Sequence, residues 1–287
     1  MENVVVEHLE HAALFALIGA VVTWIARRCG FFKLHDSLPA PRIQYPIIGI
    51  LLYLVLFIFA VPFALKFFSL VYSPLETTFQ AHPALFIATA QVLSIMIITC
   101  FVIMFSLFQD RDVVKRIWKE NFTFPSALKD FGLGVLTWVI SFAVVACVDQ
   151  VGDLLTYLAL GVPRVEQIAV RFIRMSAESP FLLTVATIST VLAAPVLEEC
   201  IFRGFMQTYL KSKIGFVKAL FSTAFIFAAF HFSPTQGISN ITLILSLFTL
   251  ALYLGFLYEK RKSLIAPIAL HMTFNSISVI RIVLFSS

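Results

Sequence analysis

Long apolar stretches follow one another along the chain and are separated by short polar connections. A helix that crosses a bilayer needs about 20 mostly apolar residues, and it satisfies its own backbone hydrogen bonds inside the lipid. The stretches are continuous, whereas the strands of a membrane barrel would alternate. The pattern therefore predicts an all-α integral membrane protein with about eight transmembrane helices. The predicted spans are residues 9–25, 45–70, 84–108, 131–148, 181–209, 216–232, 241–258 and 264–285.

The spans divide the chain into three parts. Residues 1–148 hold predicted helices 1–4, residues 149–180 form the longest connection, and residues 181–287 hold helices 5–8. In the connection, apolar side chains such as Ile168 and Phe172 fall on the helical face opposite Arg171 and its basic neighbours. This arrangement is typical of an amphipathic helix lying in the membrane interface. A lid or a substrate-guiding element is the alternative.

Composition supports a membrane protein. Hydrophobic residues make up 60% of the 287 residues and charged residues 13%, against about 25% charged in soluble proteins. The mean hydropathy is +0.95. The net charge of +5 is spread over short connections, so we expect a lipid bilayer and no nucleic acid as partner. The four cysteines are scattered without metal or disulfide spacing, and we interpret them as packing residues.

The basic residues fall mainly in the odd-numbered connections between predicted spans, which carry fifteen of the 21 lysines and arginines. The second and sixth connections and the N-terminal tail carry none. By the positive-inside rule the odd connections are cytoplasmic and both termini lie on the other side. A bacterial inner membrane and an endoplasmic reticulum membrane both suit this orientation.

Three charged residues lie close together inside the fifth predicted span, in the stretch "APVLEECIFRGF". Each charge at the bilayer centre costs about 2.5–3.5 kcal/mol on insertion scales. Glu199 and Arg203 are four residues apart, with the acid first, which favours an ion pair. Glu198 points about 100° away around the helix. It is therefore the carboxylate that remains free to face another group.

Other polar residues occur in the sixth and eighth spans. His231 follows Phe227 by four residues, and Asn275 follows His271 by four, so each pair shares a helical face. A lone histidine or glutamate could serve only as a hydrogen-bond partner between helices. Their joint occurrence instead favours a bound, activated water. Zinc held by Glu198, His231 and His271 is the open alternative, although no HExxH signature is present.

Depths counted from the odd-connection ends do not agree among these residues. At about 1.5 Å per residue, Glu198 lies about 17 Å deep, His271 about 11 Å and His231 about 23 Å. A common site requires tilt, a shorter sixth helix, an inward-bent "HFSPTQG" segment or different helix ends.

The motifs Glu198-Glu199-x-x-x-Arg203, Phe227-x-x-x-His231 and His271-x-x-x-Asn275, in this order, resemble those of the CAAX-processing and bacteriocin-processing (CPBP, or Abi) intramembrane proteases. They cover roughly the last third of the chain. The "LYEKRKSLIAPIALHMTFN" segment resembles the usual approach to the last motif. The family has eight spanning helices, as the apolar pattern predicts independently.

The resemblance implies catalytic roles. Glu198 would activate water with help from His231, and His271 and Asn275 would stabilise the oxyanion. The supporting residues would be Glu199, Arg203 and Phe227. Family members include endopeptidases that trim lipidated CAAX proteins, so a membrane-associated or lipidated peptide is the expected substrate. The family has been described both as metal-independent glutamate proteases and as metalloproteases, so zinc stays open.

Two other functions remain to be weighed. Intramembrane Glu and His could relay protons in a transporter, but the sequence shows neither a repeat of its halves nor a pair of glycine-broken helices. A non-catalytic immunity or scaffold protein could share the fold, although an intact set of motifs argues against it.

Overall fold

The computed structural model describes residues 2–34, 55, 61–72, 77–78, 80–81, 83–119, 121–161, 164–177 and 179–285. Across these ranges the chain is helical and forms no strand beyond one isolated bridge between Lys119 and Ser263. The predicted all-α class is confirmed. The helices are α1 Glu2–Arg28, α2 Val61–Val71, α3 Pro83–Leu107, α4 Arg111–Trp118, α5 Phe124–Leu160, α6 Ile168–Ser176, α7 Pro180–Ile214, α8 Phe216–Phe230, α9 Ser239–Arg261 and α10 Ile265–Phe285.

Five of these helices, α1, α5, α7, α9 and α10, are long and apolar enough to cross a membrane. Two shorter apolar helices accompany them, Val92–Leu107 within α3 and Phe216–Phe230. The chain is thus a multi-pass integral membrane protein, as predicted. Most of the predicted span 45–70 lies outside the described residues. The total of eight spans therefore stays a prediction.

Helix α5 extends beyond its predicted limits, 131–148, at both ends. It begins after Thr123, whose hydroxyl accepts a hydrogen bond from the amide of Ser126 (3.3 Å), and ends at Gly161 with φ +65°. Two aspartates that were predicted to lie in the connection 149–180 are inside the last turns of α5. Both bind the guanidinium of Arg164, Asp149 at 2.7 Å and Asp153 at 2.9 Å. Arg164 comes from later in the chain, so the local sequence around the two aspartates could not show that the helix continues.

The amphipathic helix expected after α5 is α6. Its Ile173 is 1% exposed and packs against Ala186 of α7 and against Val279 and Ile282 of α10. The helix therefore rests on the beginning of α7 and the end of α10.

The basic connections meet at one end of the bundle, which we call the basic end. Asp130 at the start of α5 binds both Lys119 and Arg261. Lys211 binds Glu259, and Lys260 donates to the carbonyl of Lys33 at 2.8 Å. These bonds join all four odd connections at the basic end. The opposite end, which we call the far end, holds the 231–238 turn and the C-terminus of α5.

Helices α7 and α9 run parallel and are joined by a ladder of polar contacts. Gln207 donates to the carbonyl of Gly255 at 2.9 Å, and the hydroxyls of Thr208 and Tyr258 are 3.0 Å apart. At Gly255 an added Cβ would lie 2.5 Å from Gln207 Oε1. Such close approach through glycine is typical of packed membrane helices.

Two glycines of α5 give a matched test of this packing. An added Cβ at Gly134 would lie 2.2 Å from the carbonyl oxygen of Ala266 in α10, whereas one at Gly132 meets nothing within 4 Å. Overpacking costs about 1–3 kcal/mol, so we expect Gly134→Ala to lower the thermal unfolding temperature in detergent. Gly132→Ala should leave it unchanged or raise it, since alanine favours a helix by up to about 1 kcal/mol. Equal effects would contradict the close crossing of α5 and α10.

Candidate active site

Helix α7 is irregular around the acidic pair. A short α-helical stretch, Ala194–Glu199, lies between two π-helical stretches, Ser189–Ala193 and Cys200–Gln207. In the first stretch the amide of Ala194 bonds to the carbonyl of Ser189, five residues back. Such π-bulges are rare and occur frequently at functional sites.

A proline leaves one carbonyl of this stretch without a helical donor. In the π pattern the carbonyl of Thr190 would accept from residue 195, but Pro195 has no N–H. Asn275 of α10 supplies the hydrogen bond instead, from its Nδ2 to Thr190 O at 2.8 Å. The last predicted motif residue is thereby fixed to α7, eight residues before the first motif begins at Glu198.

The predicted pair of Glu199 and Arg203 is present and fully buried. Arg203 donates to Glu199 Oε1 at 2.9 Å and to the carbonyl of Ala251 in α9 at 3.3 Å. Its guanidinium also lies 4.4 Å from the ring centre of Phe227 in α8, which is within range of a cation–π interaction. Both side chains are 0% exposed. The pair therefore joins three helices.

Glu199 also orients His271. The same Oε1 atom lies 2.9 Å from His271 Nδ1. An ionised carboxylate can only accept, so Nδ1 carries the proton in this bond. The other ring nitrogen, Nε2, then faces Glu198, whose Oε2 is 4.0 Å away.

His231 approaches Glu198 from α8. It is the residue that ends the helix, and its Nδ1 lies 2.9 Å from the carbonyl of Phe227. A carbonyl only accepts, so Nδ1 is the donor in this bond and Nε2 is the ring nitrogen that faces Glu198. That Nε2 is 3.9 Å from Glu198 Oε2. Phe227 thus supplies its carbonyl to one histidine while its ring, 0% exposed, packs beside both.

Glu198 lies where the two histidines converge, as its predicted orientation required. Its side chain is 16% exposed, but its Oε2 atom is buried and has no hydrogen-bond partner among the described residues. A buried oxygen of this kind normally binds a protein group or an ordered water. The unsatisfied acceptor therefore lies where Glu198, His231 and His271 meet.

Asn275 does not join this convergence directly. It lies one turn further along α10 than His271, with its side chain half-buried, and its one described hydrogen bond goes to Thr190.

Asn240, which the motifs did not indicate, holds the turn that follows His231. The side chain of Asn240, 4% exposed, accepts from the amide of Ser233 at 3.0 Å and donates to the carbonyls of Ser233 (2.7 Å) and Gly237 (2.8 Å). These bonds close the turn that begins at His231. The only signal in the sequence is an amide residue directly before the predicted span 241–258.

The conflict between predicted depths is resolved by the helix ends. Helix α7 was predicted to stop at 209 but continues to Ile214. Counted from that end, Glu198 lies about 24 Å from the basic end, close to His231 at about 22 Å. The turn before α10 lies inside the bundle, because Leu264 is 0% exposed and its amide bonds to the carbonyl of Trp118. Helix α10 therefore begins below the end of the bundle, and His271 lies deeper than the count along its helix predicted.

The distances between Glu198 and the two histidines differ from those of a zinc site. Tetrahedral zinc with bonds of 2.0–2.1 Å places its ligand atoms about 3.3 Å apart. The two Glu198–histidine distances are 3.9 and 4.0 Å, and no three His, Cys, Asp or Glu side chains in the described ranges are spaced to hold a metal. The residues as placed do not fit tetrahedral zinc.

The buried pair predicts a large effect of one substitution. In Arg203→Met, Glu199 loses its guanidinium partner, and breaking a buried pair costs about 3–5 kcal/mol. We expect a corresponding fall in the free energy of unfolding, measured by denaturant titration in micelles. The matched control is Arg174→Met, which removes a largely exposed pair with Glu166 that is worth roughly 0–1 kcal/mol. Similar losses in both variants would argue against the pair's structural importance.

Comparisons with known proteins agree with the motifs. Residues 180–277 match the family model described as type II CAAX prenyl endopeptidase Rce1-like. No curated protein and no solved structure gives a significant match. The matched segment contains all three motifs, and therefore every residue that meets around Glu198. The predicted resemblance is confirmed for this region: α7–α10 of this membrane protein are Rce1-like, consistent with the CPBP family.

Proposed function

We propose that the protein is an intramembrane endopeptidase that hydrolyses a peptide bond of a membrane-associated or lipidated protein through a water activated by Glu198 and His231. The observation that carries the proposal is the convergence of Glu198 Oε2 with the Nε2 atoms of His231 and His271 within 4.0 Å. The match to a prenyl endopeptidase family supports the reaction class.

A single water fits the distances between these three atoms. A water oxygen about 2.8 Å from Glu198 Oε2 and from each Nε2 would bridge the separations of 3.9 and 4.0 Å. The angle at the water between Oε2 and each Nε2 would then be about 90°. It would donate its two hydrogens to Glu198 and to the lone pair of His231. It would accept from His271 when that ring is an imidazolium. One donor and two acceptors thus match what a water molecule offers.

In the proposed mechanism His271 is an imidazolium. With Glu198 and Glu199 as carboxylates and Arg203 as a guanidinium, it makes the group neutral. Its Nδ1–H donates to Glu199, and its Nε2–H is then directed at the water. Buried charges are retained where they are paired in this way.

The chemical step follows from these positions. Glu198 takes a proton from the water while the water oxygen bonds to the peptide carbonyl carbon. The carbonyl π electron pair moves onto the carbonyl oxygen. As the bond forms, the Nε2–H of His271 passes from the water oxygen to the developing oxyanion, and the second amide hydrogen of Asn275 would be the further donor. Each such donor is worth about 3–4 kcal/mol. Collapse breaks the C–N bond, and Glu198 returns its proton to the leaving amine.

Substitution of the proposed base tests the function. We expect Glu198→Gln, which keeps the shape but cannot take the proton, to lower turnover by about 10²–10⁴. Membranes that contain the wild type or the variant would be compared for new peptide termini near membrane anchors. Termini that depend on the wild type would also identify the substrate.

Cys200 provides the matched control for this experiment. It lies two residues from Glu198 but is 1% exposed and packs in the core, so Cys200→Ala should keep the activity. If Glu198→Gln produces the same termini as the wild type while folded and inserted, the protease proposal fails. Proton-coupled transport in reconstituted vesicles, or an immunity phenotype, would then be measured.

The zinc alternative has its own test. Because the spacing favours water over tetrahedral zinc, activity in detergent should survive incubation with 1,10-phenanthroline. A loss that added zinc restores, together with zinc in stoichiometric amount by elemental analysis, would show instead that the side chains close around a metal.

A further inference from the structure

An apolar groove runs between α1 and α5. It holds about 440 Å³ of space, which is within the range of pockets that bind small molecules. Ala16, Gly19 and Ala20 line it from α1, and Val144 and Val148 line it from α5. All of its lining residues belong to these two helices, so the groove shares no helix with the candidate active site. It also lies outside the segment that matches the endopeptidase family.

Small side chains on α1 create the groove. At Gly19 the two helices are close, because an added Cβ would lie 3.4 Å from Cγ2 of Val144. Beside this contact, Ala16 and Ala20 are exposed and line the groove with their short side chains. The helices therefore touch along one line and leave an apolar space on their lipid-facing side.

The groove has the length of one leaflet of the membrane. From Ala16 to Arg27 its α1 side is about 16 Å long, whereas the hydrocarbon core of a bilayer is about 30 Å thick. It therefore reaches from the basic end about halfway through the membrane. An interface with another spanning helix would follow α1 across the whole core, whereas the acyl chain of a phospholipid covers one leaflet.

Basic side chains collect where the groove meets the basic end. Arg27 is exposed and lines the groove. The guanidinium of Arg28 lies 5.4 Å from the ring centre of Trp24, another exposed lining residue. Lys33, also exposed, lies in the connection that follows α1. Tryptophan at the end of a spanning helix is typical of the level of the lipid headgroups.

The protein does not neutralise these cations. Within the ranges that the structure describes, Arg27, Arg28 and Lys33 form no ion pair. Asp130 and Glu259 at the same end already bind cations of other connections. An anion from outside the chain is therefore complementary to this end of the groove. A phosphate suits it, because guanidinium groups bind phosphate oxygens through two parallel hydrogen bonds.

We infer that the groove binds one anionic phospholipid from the leaflet at the basic end. An acyl chain lies between α1 and α5, and the phosphate lies against Arg27 and Arg28. Basic pockets between transmembrane helices bind anionic lipid headgroups in this way. The lipid fills the apolar space that the two helices leave beside their contact. Its binding is independent of the proposed hydrolysis.

Native mass spectrometry of the intact protein in micelles tests the headgroup. Phosphatidylglycerol and phosphatidylcholine with the same acyl chains are supplied in equal amounts, and the first bound lipid is identified. We expect phosphatidylglycerol to dominate in the wild type. Arg27→Gln should weaken its binding about fivefold, the contribution of one basic residue to such an interaction. Lys218→Gln is the matched control, since Lys218 is exposed at the basic end outside the groove, and it should change nothing.

A second pair of variants tests the acyl chain. Ala20→Phe places a ring in the groove, and we expect it to weaken the first phosphatidylglycerol adduct at least fivefold. Ala13→Phe adds the same ring to an exposed position of α1 that does not line the groove. It should bind the lipid as the wild type does. Equal adducts in the two variants would contradict the site.

Photolabelling of the wild type decides the location if Ala20→Phe does not fold. Phosphatidylglycerol with a diazirine in its acyl chain should label peptides that contain residues 16–24 or 144–148. The inference is overturned if the label falls only elsewhere, if the two lipids bind equally, or if Lys218→Gln weakens binding as much as Arg27→Gln. A dimer that Ala20→Phe abolishes would also overturn it, because a second copy of the chain would then occupy the groove.

Discussion

The buried ion pair of Glu199 and Arg203 is the constraint on which the site depends. Two ions removed from water are tolerated only when good geometry and further hydrogen bonds compensate them. Here the compensation comes from three other helices: the Ala251 carbonyl of α9, the Phe227 ring of α8 and the His271 imidazole of α10. Satisfying the pair therefore brings those helices together around α7. It also places the adjacent Glu198 beside the same His271 ring, whose Nε2 is 4.0 Å from Glu198 Oε2.

The irregular geometry of α7 is linked to the same assembly. Pro195 removes a donor from the helix, and the freed carbonyl of Thr190 is satisfied by Asn275 from α10. Polar groups in the membrane need such partners because lipid offers none. Asn275 thus has a structural bond in addition to its proposed contribution to the oxyanion site. Because an amide carries two hydrogens, one can hold Thr190 while the other remains available.

The parts of the site that the sequence predicted depend on local spacing. The four-residue interval between Glu199 and Arg203 is enough to pair them in a helix, and the same interval leaves Glu198 on another face. Contacts between distant segments were not predictable in this way. Asn240 closes the turn after His231, and Arg164 binds the aspartates that extend α5, but nothing in either local sequence names its partner. The error in depth had the same origin, since the ends of α7 and α10 depend on tertiary packing.

The distribution of charge separates the roles of the two adjacent glutamates. Glu199 and Arg203 neutralise each other within the buried part of α7, so they need no solvent. Glu198 has only the two histidines near it, at 3.9 and 4.0 Å from its Oε2, and a carboxylate in a low-dielectric interior is costly unless water or a cation reaches it. The water proposed between Glu198 and the two histidines would hydrate that carboxylate, and it would also be the reactant of the proposed hydrolysis. The desolvation argument that pairs Glu199 with Arg203 therefore also favours a water beside Glu198.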